Sequence, residues 1–367
     1  MKKPKIGISI GDVNGIGLEV IIKALMDKRV TSICSPIIYG SSKTVTFHKN
    51  LLKLDDFKFH HQSSAKNVKD DVVTVVNVWE EDVNIKLGAL DVAGGEYAFK
   101  SLDAALVDVK KGVIDALVTA PINKKAMQLS GFEFPGHTEY LTEESGRDES
   151  LMLMVNDDLR VGLITNHIPV NAVPEALSED LILAKINILE RTLQQDFGIE
   201  KPKIAILALN PHASDAGVIG TEEESVIIPA ILAAKKAAQF VFGPFAADGF
   251  FGSDQFTKFD GVLAMYHDQG LIPFKALSFG HGVNYTAGLD FIRTSPDHGT
   301  AFDIAGKNLA SGASFQKALF TAIDISRSRK VYTESNANPL KRSKGKVLEN
   351  PEDEKPFEAE EEKKPVH

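Results

Sequence analysis

KIGISIGDVNGIGLEVIIKALM (residues 5–26) passes from a β-branched run through a glycine-punctuated turn into an apolar, helix-periodic stretch. Lys5–Ile10 predicts a strand, Gly11, Gly15 and Gly17 a tight turn, and Leu18–Met26 a helix. The same pattern recurs along the chain. Further strands are predicted at Pro36–Tyr39, Val72–Val76, Ala116–Thr119, Val161–Thr165, Lys203–Leu209 and Gly261–Met265. Between them, Glu96–Val109, Glu179–Gln195 and Glu222–Ala238 read as helices. Such alternation predicts mostly parallel sheets covered by helices on both faces. In sheets of that kind ligands gather beyond the C-terminal ends of the strands, so the residues just past each strand carry the functional reading.

The 367 residues, 43% hydrophobic and 25% charged, suit two domains or one large α/β body. The net charge is -9; from Lys341 onward 7 basic and 8 acidic residues nearly cancel, leaving a body at about -8 without a basic patch. That balance argues against a nucleic-acid groove or a polybasic membrane surface. No run of 18 apolar residues occurs, and MKKPKIGISIGD turns polar too soon for a signal peptide. The single cysteine, Cys34, excludes an intramolecular disulfide framework and any multi-thiolate metal site, and a reducing cytoplasm is the expected setting. Residues 1–335 read as the folded body, with crossings between lobes expected near 121–136 and 240–252. Residues 336–367 are too charged to bury much surface and read as a disordered tail.

Three histidines fall just past predicted strands: His167 in VGLITNHIPV, His212 in KIAILALNPHASD and His267 in GVLAMYHDQG. Separations of 45 and 55 residues suit separate βα units, so three strand ends can deliver three imidazoles to one point. Three imidazoles with an open position make a catalytic metal site, able to polarise an alcohol or carbonyl oxygen. Taken singly, each reads first as a surface or hydrogen-bonded residue; three at equivalent strand ends favour the metal site. Asp268 and Asp215 suit ring-orienting partners or helix caps. In FPGHTEYL, His137, Thr138 and Glu139 open a predicted helix, which suits an anion, or a plain N-cap by Thr138.

The glycines of residues 11–17 do not follow the G-x-G-x-x-G order, and the second strand ends in Gly-Ser-Ser without an acidic residue. A Rossmann dinucleotide site is therefore disfavoured. The densest polar stretch, residues 266–310, supplies Lys275, Asn284 and Arg293 near glycines or turns, either as a phosphate or carboxylate clamp or as solvated charges. Asp303 in SPDHGTAFDIAGK offers a ribose contact or belongs to a buried junction.

Taken together, VTAPINK, FPGHTEYL, NHIPV, LNPHASDAGVIGTEE, YHDQGLIP, GVNYTAGL and IRTSPDHGTAFDIAGK resemble the 4-hydroxythreonine-4-phosphate dehydrogenase family of pyridoxal phosphate biosynthesis, from Lys5 to about Ser328. HGTAFDIAGK is also similar to the cofactor-side loop of isocitrate and isopropylmalate dehydrogenases. The resemblance implies their α/β fold, with two lobes flanking a cleft, and a homodimer whose active site lies at the subunit interface. It implies that His167, His212 and His267 hold one divalent metal, with zinc, cobalt, manganese and magnesium all open. His137, Thr138, Lys275, Asn284 and Arg293 are implied substrate contacts; His298, Gly299 and Asp303 would meet NAD or NADP. The implied reaction oxidises 4-phosphooxy-L-threonine to a β-keto acid that loses CO2, a step toward pyridoxine 5'-phosphate. Asp248 and Asp268 are candidates for the proton acceptor. Departures from the family pattern, GDVNGIGLEV without its two prolines and Gly288-Leu289-Asp290, leave the substrate open to a threonate or erythronate 4-phosphate. A third reading is a non-catalytic phosphate-ester scaffold that uses the charged tail. Residues 55–86 carry no assigned role.

Overall fold

The computed structural model describes residues 3–338. Twelve strands form one continuous sheet among the described residues. They are β1 Lys5–Ser9, β2 Ser35–Gly40, β3 Phe59–Gln62, β4 Val73–Asn77, β5 Ala116–Thr119, β6 Leu151–Val155, β7 Arg160–Leu163, β8 Lys203–Leu207, β9 Phe240–Phe245, β10 Gly261–Ala264, β11 Val283–Ala287 and β12 Arg293–Pro296. Their spatial order is β3-β4-β2-β1-β5-β12-β11-β6-β7-β10-β8-β9. The wing from β3 to β12 is parallel throughout, as is the wing from β7 to β9, and antiparallel β11 and β6 join the two.

Every predicted strand is present, within a residue or two at its ends. The chain enters the middle of the sheet at β6, after residues 121–136. Residues 240–252 form β9 at the outer edge and the short helix Ala247–Phe251, and the chain returns to the centre only after β10, through the helix His267–Ser278. Residues 55–86 contribute the edge pair β3 and β4. The charged tail lies outside the described residues from position 339, and Asn336 closes the long helix Ala313–Asn336. No described helix is long and apolar enough to cross a membrane.

β1, β2 and β5 are buried on both faces, which is why they read as continuous apolar runs rather than alternating ones. Between β1 and the helix Gly17–Leu25, Gly11 takes φ +67°, and a Cβ there would stand 2.2 Å from the Pro121 carbonyl oxygen. The turn therefore lies directly against the end of β5. The helix Val92–Lys110 begins a turn earlier than predicted because Asp91 caps it, accepting from the Ala93 amide at 2.9 Å. A Cβ on its Gly95 would meet Ala126 backbone atoms at 2.1–2.3 Å, so the helix backbone packs directly on the segment after β5. Phe99, Phe132, Phe134 and Tyr140 then stack ring to ring at 5.3–5.7 Å, fixing the chain that leads into His137.

Gly95→Ala should destabilise the protein by about 2 kcal/mol or more, since overpacking outweighs the better helix propensity of alanine. Thermal denaturation checks this; an unchanged or higher melting temperature would contradict the direct backbone contact.

Candidate active site

Where β5, β12 and β11 lie side by side, their shared edge carries the densest set of buried polar atoms. β5 and β12 are parallel and end here, while β11 runs the other way and begins here, so Asn284 stands level with Ser295. Arg293 starts β12 and its guanidinium is buried. Its Nε and Nη2 donate to Thr119 Oγ1 at 3.1 and 2.7 Å, and Nη1 donates to Thr286 Oγ1 at 3.0 Å. Nη2 also donates to His137 Nδ1 at 3.3 Å. Burial pushes the guanidinium pKa down to about 10. No carboxylate pairs with it among the described residues, so its donors are met by hydroxyl and imidazole acceptors that leave the buried charge uncancelled.

His137 is itself buried, and burial, followed by the charges of Arg293 and Lys124, holds its pKa well below the usual imidazole value. Arginine can only donate, so Nδ1 accepts and the neutral ring carries its proton on Nε2. That Nε2–H is buried without a partner. It lines a cavity of about 220 Å³ together with Thr119, Asn284, Arg293, Asp297 and His298. Asn284 Oδ1 and His298 Nε2 are also buried and unpartnered. His298 Nδ1 donates to the Gly299 carbonyl at 3.1 Å, and a Cβ on Gly299 would meet no atom within 4 Å. Unsatisfied buried polar atoms are costly, and several converging on one cavity mark a place built for a polar ligand.

Of the implied substrate contacts, His137, Asn284 and Arg293 face this cavity. Lys275 approaches it through an ion pair of 3.2 Å with Asp297. Thr138 lines the adjoining cavity with Asn166. The helix His137–Glu144 takes Gly136 as its N-cap, without a side-chain cap, so Thr138 does not have the capping role. Of the implied cofactor contacts, His298 and Gly299 line the first cavity, whereas Asp303 is exposed in the short 3-10 turn Phe302–Ile304.

The His167 and His267 rings lie side by side, 5.5 Å between centres. Asp268 Oδ1 lies 2.7 Å from His267 Nδ1, orienting that ring with Nε2 free, as in many metal-binding histidines. This pair suits a divalent cation in kind. His212 does not complete it: among the described residues no three His, Cys, Asp or Glu side chains are grouped to hold a metal. Asp248 is exposed on the helix Ala247–Phe251 and does not line the cavity.

His212 opens a run of five residues, through Ala216, all at φ between 48 and 67°. L-residues pay about 1 kcal/mol or more each for that conformation, so something must hold the loop. Glu223 does. Its buried Oε1 accepts from the Leu209 and Asn210 amides at 2.8 and 2.7 Å, and Oε2 from Asn210 Nδ2 at 2.9 Å. The residue sits in a π-turn, Glu223–Ile227, that occupies the start of the predicted helix, whose α-helical part is Ile228–Lys236.

Sequence reasoning missed Thr119, Thr286 and Glu223. The strand-end rule points to Thr119, which closes β5, and alternation along β11 points to Thr286, two residues after Asn284. Nothing local marks Glu223 as an anchor. Glu223→Ala should cost about 2 kcal/mol, because it orphans two half-buried amides. Chemical denaturation and limited proteolysis at residues 209–220 measure this; wild-type values in both would refute the anchoring role.

The profile of the family described as "Pyridoxal phosphate biosynthetic protein PdxA" matches residues 32–322. A 4-hydroxythreonine-4-phosphate dehydrogenase of Bacteroides thetaiotaomicron is 47% identical over 93% of this chain and 93% of its own. A relative from Oceanobacillus iheyensis, named for D-threonate 4-phosphate dehydrogenation, is 38% identical over 88% of this chain and 98% of its own. The crystal structure of 4-hydroxythreonine-4-phosphate dehydrogenase from Klebsiella pneumoniae superposes with a TM-score of 0.78 at 33% identity, covering 88% of this chain and 98% of that one. With a profile match over most of its length and relatives this similar across nearly all of theirs, the chain belongs to the family of the pyridoxal phosphate biosynthetic protein PdxA.

Proposed function

We propose that this protein is a nicotinamide- and divalent-metal-dependent dehydrogenase of 4-phosphooxy-L-threonine, acting in pyridoxine 5'-phosphate biosynthesis. The observation that carries this reading is the buried Arg293–His137 pair, facing a cavity whose other polar atoms lack partners. A buried guanidinium without a carboxylate, beside an imidazole N–H donor, suits a phosphate ester. Asn284 Oδ1, an acceptor, suits a hydroxyl or ammonium on the same ligand. His298 and Gly299 leave one wall open for a nicotinamide cofactor, NAD or NADP.

His167 and His267 would hold the cation, with His212 supplied by a second copy of the chain. Exposed apolar side chains follow each histidine: Ile168 and Val170, Val218 and Ile219, then Ile272, Leu277 and Phe279. An apolar surface around all three loops supports a homodimer with the active site at the interface. Bound there, the cation would supply Lewis-acid polarisation of the substrate oxygen, and the nicotinamide would accept a hydride.

The chain's own work is placement. Arg293, His137 and Thr119 fix the phosphate end, Asn284 orients the carbon skeleton, and Lys275 and Thr138 close the rim. Oxidation turns the secondary alcohol into a ketone β to the carboxylate. The C1–C2 bond then breaks with loss of CO2, and C2 gains a proton, giving 3-amino-2-oxopropyl phosphate. The Oceanobacillus relative's name favours a second reading, a dehydrogenase of a four-carbon sugar-acid phosphate such as threonate 4-phosphate. Comparing kcat/KM for the two substrates separates them.

Wild-type protein should reduce NAD or NADP with 4-phosphooxy-L-threonine and lose that activity to a chelator, with recovery on adding metal. Absence of cofactor reduction with every hydroxy acid phosphate, despite bound metal, would sink the reading. His212→Ala and His167→Ala should each lose metal and activity while keeping a wild-type melting temperature. Mixing the two inactive variants should restore about a quarter of the activity, because a heterodimer carries one intact site. No recovery would place all ligands in one subunit.

A further inference from the structure

Thr119, Ala120, Pro121 and Ile122 form one wall of the cavity, and the segment runs on to Lys124 at the start of the short helix Lys124–Leu129. The lysine side chain folds over the turn that delivers His137. The point where a Cβ on Gly136 would stand lies 3.4 Å from Lys124 Cε and 3.8 Å from Nζ. The ammonium therefore stands over the Gly136 turn, next to the His137 ring that faces the cavity. Lys275 is engaged by Asp297, and Arg293 by two threonine hydroxyls. Lys124 has no hydrogen-bond or ion-pair partner among the described residues. Glu139 Oε2 approaches the same point over Gly136 to 3.1 Å without pairing with it.

We propose that Lys124 is a substrate-contacting residue whose ammonium binds the carboxylate of the phosphorylated hydroxy acid. The inference rests on the substrate class proposed above and assigns its second anionic end. Such a ligand carries a phosphate and a carboxylate at opposite ends of a short carbon chain. The buried guanidinium and the His137 donor take the first, which leaves the second needing a cation near the rim. Lys124 is exposed, follows directly on the cavity-wall segment 119–122, and lies over the Gly136 turn beside His137. A point charge on a flexible stem suits a group that must be released, whereas the fork of Arg293 suits one held rigidly. The carboxylate is the group that leaves as CO2, so a cation there positions that end of the substrate for oxidation and releases it as the charge passes to C2 and the bond breaks.

The test measures binding to cofactor-free, full-length protein by calorimetry, using two ligands. One is 4-phosphooxy-L-threonine; the other is its alcohol analogue, with CH2OH in place of the carboxylate. Wild type should prefer the acid. Lys124→Met should weaken the acid by about ten- to a hundredfold and leave the alcohol unchanged, while Lys124→Arg keeps most of the preference. Equal weakening of both ligands would move the lysine to the phosphate, and no weakening of either would remove it from the site; both outcomes overturn the proposal. Failure of wild type to bind either ligand would instead overturn the substrate class, and this inference with it.

Discussion

A guanidinium held in the protein interior without a carboxylate is an unfinished interaction, and the architecture around Arg293 is arranged to bear it. Two threonine hydroxyls from neighbouring strands and one imidazole nitrogen take up its donors. These dipoles do not cancel the charge, so a site of this kind stays poised for an anion. The same arrangement decides the state of His137. Its Nδ1 is committed to the guanidinium, burial keeps it neutral, and the remaining N–H points into the cavity. Charge, tautomer and ligand preference thus follow from one side chain.

The sheet makes this possible by reversing direction at its centre. In an all-parallel sheet one edge receives only strand C-termini. Here β11 begins where β5 and β12 end, so a strand start contributes Asn284 beside the residues that follow two strand ends. Side-chain alternation then separates duties along β11. Asn284 and Thr286 serve the cavity and Arg293, while Tyr285 points the other way into a buried network, where Arg329 donates to its hydroxyl at 2.9 Å and Asp196 also bonds it. The long helix Ala313–Asn336 anchors the same place, its Ala318 carbonyl accepting from Thr294 Oγ1 at 2.9 Å.

Much of this was legible in the chain because the inner strands of the parallel wings, β1, β2, β4, β5, β7, β8 and β10, are largely buried and leave apolar runs. The histidines at three strand ends stood out on the same grounds, and Asn284 and Arg293 through the density of polar residues around them. Less visible were β3, β6, β9, β11 and β12. β6 is built from Leu and Met, which favour helices as readily as strands, and β12, RTSP, is polar because its side chains serve the site. Glu223 was invisible for another reason: its role depends on a loop it touches only after folding, and no local pattern announces a carboxylate aimed at distant amides. Separation of His212 from the other two histidines was equally beyond spacing arguments, which fix position along the chain and not distance in space.

The exposed isoleucine, valine and phenylalanine side chains beside the histidine loops have a thermodynamic corollary on the proposed assembly. A cation liganded from two polypeptides binds more tightly as protein concentration rises, and subunits associate more tightly as cation concentration rises, by the same free energy in both directions. Dilution would then act as a chelator does, and scarcity of the ion as a dissociating agent does. Occupancy and oligomerisation become two readouts of a single linked equilibrium.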